Sequence, residues 1–235
     1  MAAVGRVASL WRYPVKSMGS ESLDAVDVSW HGLAGDRRFA FVRDGLERSG
    51  FPYLTIRERS DMAGFRPSFA DPSRPDDSPT VVRTPAGLEF DVLDPALVGE
   101  LGGGARVIKL KRGLFDNSPL SLTTTQSVAG LGALVGRELD PQRFRPNLLI
   151  EASGEDPFQE NEWVGSVLRI GDGMRMRVDQ RDERCVVVNV DPTTSERDPA
   201  ILRAIARERE ACFGVYGTTV EPGRIAVGDP VVLER

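Results

Sequence analysis

Most of this chain reads as short apolar or alternating apolar and polar runs, the period-two pattern of strands, punctuated by Gly, Pro and Asp. In the first half these runs are Val7–Val15, Ala25–Trp30, Arg38–Val42, Tyr53–Arg57, Thr80–Arg83, Leu88–Val92 and Arg106–Leu110. The second half adds Asn147–Glu151, Ser166–Ile170, Met174–Asp179, Cys185–Val190 and Val231–Glu234. Gly171-Asp172-Gly173 separates two of them and predicts a hairpin, since glycine supplies the positive φ that tight turns require. Asp71–Pro79, rich in Pro, Asp and Ser, predicts an exposed loop. No internal repeat is visible.

Two segments carry helical signals instead. Thr123-Thr124-Thr125 offers a cap for a helix running to about Val135, with Gly136 as its stop. A second helix has Asp198 as N-cap, Pro199 at its first position and Gly214 closing it. On that helix Ile201, Ile205 and Cys212 fall within about 40° of one another. Cys212 is therefore expected to be a buried, inert thiol, since free cysteine usually packs as a small hydrophobe.

Composition narrows the chemistry. The chain has 235 residues and a net charge of −5, which argues against nucleic acid, because backbone binding needs a concentrated positive surface. No apolar run approaches the roughly 20 residues of a membrane helix. Met1–Leu10 has one Arg and no continuous apolar core, so no secretory leader and a cytoplasmic location are expected. With only Cys185, Cys212 and His31, one chain cannot build a four-thiolate zinc site, an iron–sulfur cluster or a multi-histidine metal site. Gly102-Gly103-Gly104 precedes a strand rather than opening a helix, so it is no dinucleotide-binding turn.

What remains is a set of basic residues at strand–turn junctions, where scaffold-positioned site residues collect. Lys16 follows Tyr13-Pro14-Val15, Arg37 and Arg38 follow Gly35-Asp36, Arg145 lies in Phe144-Arg145-Pro146-Asn147, and Arg184 precedes Cys185. Arginine's planar fork suits phosphate and carboxylate. Taken singly, each is better read as a surface charge. Cys185 opens an expected strand after the charged run Gln180–Arg184, with Arg181 and Arg184 beside a thiol that can bind a soft metal. A buried strand cysteine is the equal alternative.

The order of five segments adds to this. They are RYPVKSM at Arg12–Met18, GLAGDRRFAFV at Gly32–Val42, FRPNLLI at Phe144–Ile150, RCVVVNVDP at Arg184–Pro192 and PGRIAVGDPVVL at Pro222–Leu233. Together they resemble the MOSC family (molybdenum cofactor sulfurase C-terminal domain). The resemblance is to its two-part members with an N-terminal β-barrel segment, among them the amidoxime-reducing components and their bacterial counterparts. It implies a β-rich α+β fold, with an N-terminal β-barrel-like segment over residues 1–100 packed on a MOSC β-barrel core over 101–235 that carries a few helices. The site is expected between the two parts.

The resemblance also implies roles. Cys185 would ligate the molybdenum of a molybdenum cofactor (molybdopterin). Lys16, Ser17, Arg37, Asn117, Ser118, Arg145 and Arg184 would contact that cofactor. The activity implied is reduction of small N-hydroxylated substrates. Because the chain lacks the ferredoxin-like extension of some relatives, electrons are expected from a separate electron-transfer protein. Val188 and Asn189 replace a Thr-Thr pair usual in relatives, and Asp182 and Glu183 add negative charge before Arg184. His31 is expected to be structural or pocket-lining. Two alternatives stay open: a carrier of the cofactor, or of a sulfur species on Cys185 formed without pyridoxal phosphate, and a cofactor-free small-molecule-binding barrel.

Overall fold

Along Met174–Glu183 alternate residues are buried, so Met174, Met176 and Val178 point to one side of their strand. The same alternation recurs in neighbouring strands, and a sheet with one apolar face buries it by curling on itself. In the computed structural model, which describes residues 2–234, it does so completely. The hydrogen-bonded order is Leu148–Ala152, Leu120–Thr124, Cys212–Glu221, Met174–Glu183, Val167–Ile170, Pro230–Glu234, Ala2–Arg12 and Glu21–Leu23. Ala2–Arg12 also pairs with Leu148–Ala152, through Val7 opposite Ile150 and Leu10 opposite Leu148, which closes a barrel and leaves Glu21–Leu23 as an outer addition. Leu122, Leu148, Ile150, Leu168, Ile170, Met176 and Val215 fill its interior. Gly214 has φ +74, and a Cβ there would lie 2.6 Å from the Leu122 carbonyl oxygen, so only glycine lets these two strands approach.

Leu120–Thr124 and Leu148–Ala152 run parallel, which demands a crossover. The helix Thr125–Val135 provides it, capped by the Thr124 side chain on the Ser127 amide and ended by Gly136 at φ 75. It packs with the helix Pro199–Arg209 on the outside of the barrel, around Trp11, Phe144, Leu149, Ile205 and Phe213. The remaining first-half residues form small sheets. Phe39–Arg43 pairs with Ala105–Lys109, and Arg66–Phe69, Thr80–Arg83 and Glu89–Asp91 form a meander. They share a second core of Val15, Met18, Phe41, Leu54, Met62 and Phe69. The fold is thus the β-rich α+β arrangement expected. The division at residue 100 is one along the chain; in space the first strand completes the barrel of the second half. No helix among the described residues is long and apolar enough to cross a membrane.

Three expectations need correction. Tyr53–Arg57 is not a strand: only Tyr53 bridges to Val42, and the chain then turns as the Thr55 carbonyl accepts from the Glu58 and Arg59 amides, both at 3.0 Å. Cys185–Val190 is not a strand either. The strand ends at Glu183, and Val186–Asn189 is a 3-10 turn. Its Val188 and Asn189 carbonyls accept from buried Arg143, at 3.3 and 3.1 Å, which replaces the ladder bonds a strand would need. Finally, the second helix stops at Arg209, because Glu210 and Ala211 are left-handed (φ 54 and 62) and turn the chain into the strand Cys212–Glu221. Cys212 is therefore a half-buried strand residue paired opposite Glu183, not part of a helical face.

Candidate functional site

Four separate turns at one end of the barrel converge on a cleft with an empty volume of about 840 Å³ counted to its open mouth. Lys16 and Ser17 come from the turn after the first strand, where the Met18 amide donates to the Val15 carbonyl. Arg37 follows buried Asp36, whose carboxylate accepts from the Tyr13 amide at 2.7 Å and from Asn147 Nδ2 at 3.1 Å. Arg145 ends the 3-10 turn Pro141–Phe144, and Arg184 and Cys185 follow the strand Met174–Glu183. Ser17, Arg37 and Arg145 all hold left-handed backbone, at φ 67, 49 and 52. Non-glycine residues adopt that region at a cost, and such strain collects where a structure over-determines a site.

The cations are fixed rather than floating. Arg145 lies 4.3 Å from the Tyr13 ring centre and Arg37 lies 4.9 Å from it. Arg145 donates to the Met18 carbonyl at 2.7 Å, while its buried Nη2 has no hydrogen-bond partner. Burial, reinforced by Arg37, pushes the Arg145 guanidinium down to about 10. Burial likewise lowers Lys16, against the pull of Asp116, whose Oδ1 is 2.6 Å from Nζ. Burial opposes ionisation of Asp116 in turn, yet Lys16, with Arg57 and Arg37, holds it below the usual carboxylate range. Arg184 donates to the Phe213 and Phe144 carbonyls, each at 2.7 Å.

Asp182 is the buried acid of the site. Its Oδ2 lies 2.7 Å from Arg184 Nη2 and accepts from Ser121 Oγ at 3.4 Å, and its Oδ1 is buried without a partner. Burial outweighs Arg184 and pushes Asp182 up to about 6. Tyr216 beside it is raised to about 12, by burial first and then by Asp182. The pairing register of this strand shifts between Val178 and Gln180 and again across Asp182 itself, between Arg181 and Glu183.

Cys185 is exposed at the mouth of the cleft. The arginine that meets it is Arg57, whose Nη2 lies 3.5 Å from Sγ. Arg181, expected beside the thiol, turns away to Glu210 and the Arg209 carbonyl, both at 2.6 Å. Lys16, Ser17, Arg37, Arg145, Arg184 and Cys185 thus line one cleft, from segments more than a hundred residues apart. Asn117 and Ser118 are not among the lining residues; they bond to each other at 3.2 Å, and the neighbouring Asp116 lines the cleft instead. His31 is exposed and away from the cleft, which removes its pocket-lining reading. Val188 lines the cleft, whereas Asn189 is buried and accepts from the Leu202 amide of the Pro199–Arg209 helix at 2.9 Å.

Sequence reasoning missed Arg57, Asp116 and Arg143 as cleft residues. For Arg57 the expected strand concealed the turn that aims it. For Asp116 the available signal was its place beside Asn117.

The class defined here is a closed β-barrel with fixed cations and one exposed thiol lining a cleft at its rim. Comparison with known families makes this specific. The MOSC domain matches residues 109–232 and the MOSC N-terminal beta barrel domain matches residues 4–91. The chain belongs to the MOSC domain family. It is 33% identical to human mitochondrial amidoxime-reducing component 1 over 131 residues, which is 50% of this chain and 37% of that protein. It is 23% identical to the Caenorhabditis elegans molybdenum cofactor sulfurase over 248 residues, 89% of this chain and 33% of that one. These matches therefore span about a third of the length of those relatives. Among solved structures, the YUAD protein from Bacillus subtilis superposes with a TM-score of 0.56 at 13% identity, covering 98% of this chain and 95% of that one, a likeness of fold.

Proposed function

We propose that the cleft holds a molybdenum cofactor on Cys185 and that the protein reduces N-hydroxylated compounds in the cytoplasm, with electrons from a separate redox protein. The observation that carries this reading is the convergence of buried cations from four chain segments beside one exposed thiol, in a chain of net charge −5. The residues present fit such a group. Arg145 Nη2 is a buried donor without a partner, as a phosphate site requires, and an exposed thiol is a soft-metal donor. Cys185 would hold the metal. Lys16, Ser17, Arg37, Arg145 and Arg184 would hold the anionic part.

When bound, the cofactor supplies two-electron removal of oxygen from nitrogen. The substrate R–NHOH takes up two electrons and two protons and leaves as R–NH2 and water. The protein's own part is to bind, orient and neutralise charge. Likeness to a molybdenum cofactor sulfurase over most of the chain supports a second reading, a carrier of the cofactor or of a sulfur species on Cys185. Protein made in a cofactor-competent host decides between them. Molybdenum near one per chain, with turnover of benzamidoxime on an artificial electron donor, is expected. A fully metallated preparation that reduces no N-hydroxylated compound with any donor gives the carrier reading precedence.

A further inference from the structure

Arg57 stands apart from the other cations of the cleft. Lys16, Arg145 and Arg184 are committed to Asp116, the Met18 carbonyl and the Phe213 and Phe144 carbonyls. The Arg57 guanidinium has five N–H donors and uses one, on Cys185 Sγ at 3.5 Å. Its nearest acid, Asp116, is 3.9 Å away and is already held by Lys16 at 2.6 Å. Glu58, next in the chain, faces Arg43 at 3.4 Å and accepts from the Thr55 amide and hydroxyl. The side chain is about one third exposed, with side-chain relative exposure of 33%.

Its backbone, by contrast, is pinned. Arg197 Nη2 donates to the Ile56 and Arg57 carbonyls at 3.2 and 2.8 Å, and the Arg57 amide donates to Thr55 Oγ1 at 3.3 Å. The Phe51 ring backs the guanidinium at 5.3 Å. The result is a preorganised cation with spare donors, held over the exposed thiol on the solvent side. Glu183, exposed on the same lining, makes no ion pair among the described residues and is the opposing charge.

We propose that Arg57 determines specificity by receiving the carboxylate of an anionic substrate, so that the preferred N-hydroxylated compounds carry an acid group. The inference rests on the reductase reading for the chemistry, but the anion preference at the thiol does not depend on it.

Alkylation of the metal-free protein tests that preference directly. The rates of Cys185 modification by iodoacetate and by the neutral iodoacetamide are compared by peptide mapping, each relative to N-acetylcysteine. Iodoacetate is expected to be favoured on the order of fivefold, the effect of one unit charge about 4 Å away in a water-like medium. Added salt should diminish the preference. Arg57→Gln should abolish it, Arg57→Lys should keep most of it, and Glu183→Gln should increase it. No preference in the wild type, or one that survives Arg57→Gln, overturns the proposal. In the loaded enzyme, Arg57→Gln should raise KM several-fold for a carboxylate-bearing amidoxime and much less for the neutral benzamidoxime. Loss of molybdenum in that variant would make Arg57 a cofactor residue and also overturn it. A wild type that shows the alkylation preference but no turnover removes the reductase reading and leaves the anion subsite standing.

Discussion

Arg143 Nη2 lies 2.6 Å from Asp191 Oδ2, and this buried guanidinium ties down the far end of the turn that follows Cys185. Through Nη1 it also satisfies the Val188 and Asn189 carbonyls. Arg143→Met would leave the Val188 carbonyl without a donor, at about 1–3 kcal/mol, and break the bond to Asp191, while the Asn189 carbonyl keeps the Asp198 amide at 2.8 Å. Urea unfolding should therefore show a loss of roughly 2 kcal/mol, and the midpoint should fall with little change in slope. A loss under about 0.5 kcal/mol would mean that water takes over the guanidinium's bonds.

Asp182 should make stability depend on pH in the direction opposite to most carboxylates. Its folded value is raised to about 6 by burial, above the unfolded value of about 3.9. The folded state therefore binds the proton more tightly, and stability from this group falls as pH rises from about 4 to about 6, then levels off. Relative to wild type, Asp182→Asn should gain about 2–3 kcal/mol between pH 4 and pH 7, because each pH unit separating the folded and unfolded values is worth about 1.4 kcal/mol. Parallel stability curves for the two proteins across that range would contradict this.

Metal content should separate the two cysteines. Cys185 is exposed in the cleft, whereas Cys212 is a half-buried strand residue outside its lining. From a cofactor-competent host, Cys185→Ser is expected to lose bound molybdenum and Cys212→Ser to retain it. Equal retention would remove the assignment of Cys185 as ligand.

Without any cofactor, the cationic cleft should still bind inorganic pyrophosphate. Ligand bound only to the folded state raises its stability, so the melting temperature should climb with pyrophosphate concentration. Arg145→Lys keeps a charge but loses the planar fork and the unpartnered Nη2, and should weaken binding about tenfold. An unaltered melting response in that variant would place the anion elsewhere.

Donor choice gives a further check. The purified, metallated protein should turn over an amidoxime with an artificial donor and show little activity with a nicotinamide alone. The chain has two cysteines, too few for an iron–sulfur relay, and its Gly102–Gly104 run leads into the strand Ala105–Lys109. Sustained turnover with nicotinamide as sole donor would show an internal electron path.

The sequence alone determined those features whose causes lie within a few residues. Thr124 and Asp198 start helices by accepting from the nearest amides, Gly136 ends one in left-handed backbone, and all sit where expected. The hairpin at 171–173 joins Val167–Ile170 to Met174–Glu183 as its glycines require. Lys16, Ser17, Arg37, Arg145, Arg184 and Cys185 could be singled out because strand–turn junctions and the ordered motifs are local text. Only the tertiary structure decided what these features meet. The helix after Pro199 ends at Arg209 without a glycine, because Glu210 and Ala211 accept left-handed backbone to start a strand paired across the barrel. The first strand closes a barrel built mainly from residues beyond 120. Asp116 meets Lys16 across a hundred residues, Arg57 meets Cys185 across 128, and Asn117 and Ser118 stay outside the cleft that Asp116 enters. Such pairings are set by barrel closure and by buried donors seeking acceptors, and neither leaves a period in the chain.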